Sequence, residues 1–177
     1  MLYIVIADMT KHESQELTQI FNLIAKRANL MKAVAFNKHI TNHNIYCATQ
    51  EIKLPRRIQK TATELSLPIY PVMIFAQIQM DLSKYIEQYW LDHWNKSDNQ
   101  NHDNNFSLKQ LRLTIKEIDH QLYSAIKQAV PILKNFSLAN IMPLFDQAMT
   151  KVPGMPLSPN YGHMVLYALT AIAVTTQ

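Results

Sequence analysis

Apolar residues recur along this chain at two spacings, and the change of spacing divides it in two. Leu2 to Ala7 is a short continuous apolar run rich in Val, Ile and Tyr, the pattern of a buried strand. Thr10 and Glu13 then fit a capping box, in which hydroxyl and carboxylate satisfy each other's free amides. Behind it Leu17, Ile20, Phe21, Ile24 and Ala28 follow helical spacing, with Gln15, Thr18, Asn22 and Lys26 opposite, and predict a helix.

Met31 to Phe36 reads as a second strand, and Asn37 to Asn44 as a connection with Thr41-Asn42 at its tip. Ile45 to Ile52 reads as a third strand returning antiparallel, although 31–52 also admits a helix. Pro55 suits the first position of a helix whose stripe is Ile58, Ala62 and Leu65 and which Pro68 ends. Val72 to Ala76 is another apolar run, confined by Pro71 to a strand start or sheet edge. The order across 2–77 is β-α-β-β-α-β, the ferredoxin-like arrangement, and the expected class is α+β.

After Ile78 the pattern becomes helical throughout. Ile78 to Trp94 is one helix, and Lys96 to Asn105 contains no apolar residue and reads as a loop or linker. Ser107 and Gln110 form a second capping box, and Leu111, Ile115, Ile118, Leu122 and Ala125 mark a long helix ending at Pro131. Helices near 132–149 and 159–174 follow, the last opened by Ser158-Pro159. The expected organisation is an α+β domain at 1–95 carrying an aromatic helix, a polar linker or loop at 96–106, and a helical segment at 107–177.

Composition narrows the chemistry. Two glycines in 177 residues, Gly154 and Gly162, stand where an average composition of about 7% would place roughly a dozen. Glycine-rich phosphate loops, dinucleotide fingerprints and the nucleophile elbow are thereby excluded. A hydrophobic content of 48% suffices for a full core, and a net charge of +4 is modest for a nucleic-acid binder. Cys47 is the single cysteine and suits a reducing compartment. The segment MLYIVIAD lacks the features of a signal peptide, and the longest apolar run, Met164 to Val174, is about half a membrane span. These features lead us to expect a soluble, cytoplasmic protein.

Several groups are candidates for a site. Lys53, Arg56, Arg57 and Lys60 cluster at the expected start of the helix after Pro55, where cations reinforce a positive macrodipole and would attract phosphate or carboxylate. Lys26, Arg27 and Lys32 extend that field. Tyr85, Tyr89, Trp90 and Trp94 crowd one helix, suited to an interface, to base stacking or to packing between the halves. Asp8, directly after the first strand, could hold magnesium with Asp81 or Asp92. His39, His43 and Cys47 are spaced by four, but a connection and strand would separate them. Asp92-His93 and Asp119-His120 are sequence neighbours that point apart on a helix. The proline-rich stretch Val152 to His163 offers Tyr161 and His163, on a stiff turn or binding edge.

The function expected from this reading is non-enzymatic binding, as a subunit, adaptor or inhibitor of a prokaryotic complex. The basic and aromatic surfaces would make the contacts. Protein is the first-choice partner, nucleic acid the second; a homo-oligomer is allowed, a membrane is not. No cofactor or metal is called for. The alternative is a metal-dependent nuclease or other phosphoryl-transfer enzyme centred on Asp8.

Overall fold

A computed structural model describes residues 9–96, 106–156, 158 and 160–177. Among these residues the elements are seven helices: α1 (Lys11–Asn29), α2 (Met31–Ile40), α3 (Ala48–Glu64), α4 (Ile69–Lys96), α5 (Leu108–Asn135), α6 (Leu138–Met149) and α7 (Asn160–Thr175). Both predicted capping boxes form. The Glu13 amide donates to Thr10 Oγ1 at 3.2 Å and the Thr10 amide to Glu13 Oε2 at 2.8 Å; Ser107 and Gln110 do the same for α5. Each box satisfies amides that the first helical turn leaves without partners.

The expectation of an α+β, ferredoxin-like unit is wrong: no strand occurs among the described residues. Met31–Phe36 lies in α2, most of Ile45–Ile52 enters α3, and Val72–Ala76 lies in α4. The reason is the spacing at longer range. Met31, Val34, Ala35 and Lys38 fall on one helical face, as do Val72, Phe75, Ala76, Gln79, Leu82, Ser83 and Ile86. A run of five or six apolar residues does not separate a buried strand from a buried helical turn. Pro71 is tolerated because the third residue of a helix has no intrahelical acceptor for its amide. Pro55 sits inside α3 rather than opening it, and Pro131 lies within α5, which runs on to Asn135. Leu2–Ala7 and Asp8 lie outside the described residues, as does the polar stretch 97–105; Lys96 ends α4.

Scarcity of glycine shapes the helix ends. At the end of α2, Asn42 takes φ 54° while the His43 and Asn42 amides return to the Lys38 and His39 carbonyls. At the end of α3, Ser66 takes φ 51° with Leu67 and Ser66 returning to Ala62 and Thr63. Both are Schellman caps in positions that usually hold glycine.

α4 and α5, about 42 Å long each at 1.5 Å per residue, carry the architecture. α1 lies against α5 and α6, while α2, α3 and α7 lie against α4, and α7 also meets α5. One apolar cluster joins them, with Phe21 of α1 edge-on to Phe145 of α6 at 5.5 Å. Contacts between the first and second halves of the chain therefore run through a shared core.

Candidate active site

The buried stripe of α4 is interrupted by polar residues at every fourth position: Gln79, Ser83 and Glu87. Each is nearly sealed from solvent, so each needs a partner. α1 brings Arg27 and α2 brings Lys38 to this stripe, and both cations are themselves buried, at 8% and 7% exposure. Around them closes a cavity of about 150 Å³. Glu51 and Arg57 of α3, Lys84 of α4, and Arg112, Lys116 and Asp119 of α5 complete its polar walls. Met31, Val34, Met80 and Ile115 supply apolar surface.

Hydrogen-bond arithmetic shows which donors remain. Arg27 has five N–H groups. Its Nε donates to Asp119 Oδ1 at 2.9 Å; its Nη1 donates to the Gln79 carbonyl at 3.1 Å and to Ser83 Oγ at 2.6 Å. Both protons of Nη2 have no acceptor among the described residues. Lys38 Nζ donates to Glu87 Oε2 at 2.6 Å and to the Ile45 carbonyl at 2.8 Å, leaving one of its three protons. Lys84 is held 2.5 Å from Glu51, which raises the ammonium's pKa. Arg57, Arg112 and Lys116 make no ion pair among the described residues, and all three are solvent-accessible.

Six cations against three carboxylates leave the lining positive. Burial nevertheless pushes the Glu87 carboxyl above the ordinary glutamate value of 4.5, although Lys38, Arg27 and Arg112 pull the other way. A cavity of this composition favours a small polyanion, with apolar walls for its carbon skeleton.

The residues singled out from the sequence fall as follows. Lys53, Arg56, Arg57 and Lys60 lie in the middle of α3, so the helix-start argument does not apply to them. All are exposed; Arg57 alone of the four lines the cavity, and Lys60 pairs with Glu64 at 3.7 Å. Tyr85 and Tyr89 are exposed, Trp90 is half-buried and Trp94 is buried. Trp94 stands edge-on to Phe36 at 5.9 Å, and Lys32 lies 4.4 Å from the Trp90 ring centroid. The two tryptophans thus pack against α2. His43 bonds locally to Thr41, His39 approaches Trp94, and Cys47 lines the cavity at the start of α3. Asp81 accepts from Gln77, and Asp92 from Gln88, both on the outer face of α4. Among the described residues no three His, Cys, Asp or Glu side chains converge as a metal site would require. Tyr161 is buried beside Gln79, and His163 is exposed near Tyr167.

Sequence reasoning missed Lys38, Glu51, Ser83, Lys84, Glu87, Arg112 and Lys116 as site residues. It weighed Asp119 only beside His120 and Arg27 only as an outlying charge. The available signal was polar residues recurring inside an apolar helical stripe, where burial demands partners.

No protein-family model and no curated protein matches this sequence. Solved structures do. The secreted chorismate mutase from Yersinia pestis superposes with a TM-score of 0.73 at 19% identity, covering 85% of this chain and 94% of that one. The chorismate mutase from Burkholderia thailandensis gives 0.68 at 18%, covering 90% and 99%. That from Burkholderia phymatum gives 0.69 at 15%, covering 91% and 97%. At such identities the likeness establishes the all-helical fold. These neighbours are enzymes, which overturns the expectation of a non-enzymatic binding subunit. The nuclease alternative finds no support either: Asp81 and Asp92 are exposed and apart from the cavity lining, and Asp8 is outside the described residues. Among the described residues no helix is long and apolar enough to cross a membrane.

Proposed function

We propose that the chain is a chorismate mutase, isomerising chorismate to prephenate within the cavity between α1, α2, α4 and α5. One observation carries the reading: two buried cations from different helices, Arg27 and Lys38, keep uncommitted donors at a small, positively lined cavity.

The substrate is a dicarboxylate bearing an enol ether. In the rearrangement the ether C–O bond breaks as a C–C bond forms, so no atom is gained or lost. No proton transfer is required; catalysis comes from holding the reactive conformer and from stabilising charge that develops on the ether oxygen. The remaining Lys38 proton suits that oxygen. Its ammonium is fixed by Glu87 and the Ile45 carbonyl and need not reorganise during reaction. Arg27 Nη2, with Arg57, Arg112 and Lys116, suits the two carboxylates. Glu87 Oε1, the oxygen Lys38 does not engage, suits the ring hydroxyl.

The test is direct. Purified protein is mixed with chorismate, and its conversion to prephenate is followed by proton NMR. Lys38→Ala, with folding checked by circular dichroism, should lower kcat by about 10²–10³-fold, the usual loss when one preorganised donor to developing charge is removed. No conversion by correctly folded wild-type protein overturns the reading. The cytoplasmic expectation is kept within this proposal on the single cysteine alone. Cell fractionation tests it, since one structural neighbour is a secreted protein.

A further inference from the structure

Arg27 can serve a carboxylate only if its guanidinium is aimed, and an arginine has four rotatable side-chain bonds to freeze. Three contacts freeze it here. Two come from the same stretch of α4, the Gln79 carbonyl at 3.1 Å and Ser83 Oγ at 2.6 Å, and both engage Nη1. Both act from one helix and on one nitrogen. The third comes from α5, 92 residues away: Asp119 Oδ1 accepts from Nε at 2.9 Å. A contact at Nε, the nitrogen that shares an edge of the guanidinium with Nη2, fixes that edge from a second helix.

We propose that Asp119 is a positioning residue for substrate binding: by holding Nε it turns the unpartnered Nη2 edge of Arg27 toward the carboxylate of the substrate. This rests on the mutase reading above. Two further observations support it. Asp119 is itself part of the cavity lining, with 22% of its side chain exposed, so it is no deeply buried structural counter-ion. It also stands on the wall that the cavity shares with a second groove of about 470 Å³ between α3 and α5, to which Arg57, Lys116 and Asp119 all contribute. On that open side no other described residue restrains Arg27. Asp119 neutralises one charge, yet Arg57, Arg112 and Lys116 keep the lining positive, so the anion is still attracted while Arg27 is fixed.

A substrate carboxylate is present in ground and transition states alike, so losing its clamp acts on binding more than on turnover. Asp119→Ala should raise KM about tenfold with kcat within about twofold, because a freed arginine must be ordered at each binding event. Asp119→Asn keeps an acceptor for Nε and should recover most of the loss. In an Arg27→Ala background, Asp119→Ala should add nothing to KM, since it acts through Arg27. A KM within twofold of wild type in Asp119→Ala overturns the proposal whatever happens to Tm, and so do penalties that multiply in the double variant. A turnover-independent arm uses ¹⁵N NMR of the free protein. The Arg27 Nε–H should be slow to exchange in wild type and fast in Asp119→Ala; equal exchange overturns the positioning role. Inactive wild type overturns the mutase reading instead, and the exchange measurement still decides whether Asp119 holds Arg27.

Discussion

Lys38 Nζ on α2 lies 2.6 Å from Glu87 Oε2 on α4, and both side chains are at least nine-tenths buried. Such a pair contributes little beyond what two apolar residues would, but breaking it from one side is costly. Lys38→Met strands a buried carboxylate and should destabilise by about 3–5 kcal/mol, less whatever Glu87 recovers by binding a proton. Glu87→Gln retains a hydrogen-bonding group and should cost less. Lys38→Met combined with Glu87→Leu should restore near-native stability without restoring turnover. Urea denaturation of the three variants checks the order.

The same carboxyl sets a pH dependence. Burial raises the Glu87 pKa in the folded protein above its unfolded value of about 4.5. Between the two values the native state holds a proton that the unfolded chain has released. Stability should therefore fall as pH rises through that window, the reverse of an ordinary salt-bridged glutamate. Calorimetric Tm values measured upward from pH 4.5 should decline more in wild type than in Glu87→Gln.

Ser66 occupies a left-handed position at the end of α3 with φ 51°. A side chain there strains the backbone, and glycine removes the strain while adding entropy to the unfolded chain. Ser66→Gly should stabilise by about 0.5 kcal/mol net. A higher urea midpoint at unchanged m-value checks it.

Gly154 has φ 80°, and a Cβ built there would come within 2.6 Å of Tyr89 Cδ1. Gly154→Ala should destabilise by about 2 kcal/mol or more through strain and clash together. Adding Tyr89→Ala should relieve the clash and leave the backbone term, which thermal unfolding of the single and double variants separates.

Arg112 lies at the cavity on α5, accessible to solvent and without an ion-pair partner among the described residues. Arg112→Ala should raise the KM for chorismate about tenfold. Wild-type KM should also rise with added salt, because exposed charges are screened within about 10 Å at 0.1 M. Steady-state kinetics at two ionic strengths checks both outcomes.

Local chemistry was legible wherever it closes on itself within a turn. Thr10 with Glu13 and Ser107 with Gln110 placed the starts of α1 and α5, because a capping box involves residues three apart and needs nothing from elsewhere. The shortage of glycine likewise removed whole classes of nucleotide-binding loop. The class of the segments at 31–52 and 72–76 was settled by packing: their apolar faces meet α4, α5 and α7, and burial against neighbouring helices outweighs the β preference of a short Val- and Ile-rich run. The cavity was hidden for a related reason. Arg27, Lys38, Glu87 and Asp119 come from four helices, and their charges become chemically meaningful only when low-dielectric surroundings bring them within hydrogen-bonding distance. Spacing along a chain reports which residues share a face; which faces meet depends on how the helices pack.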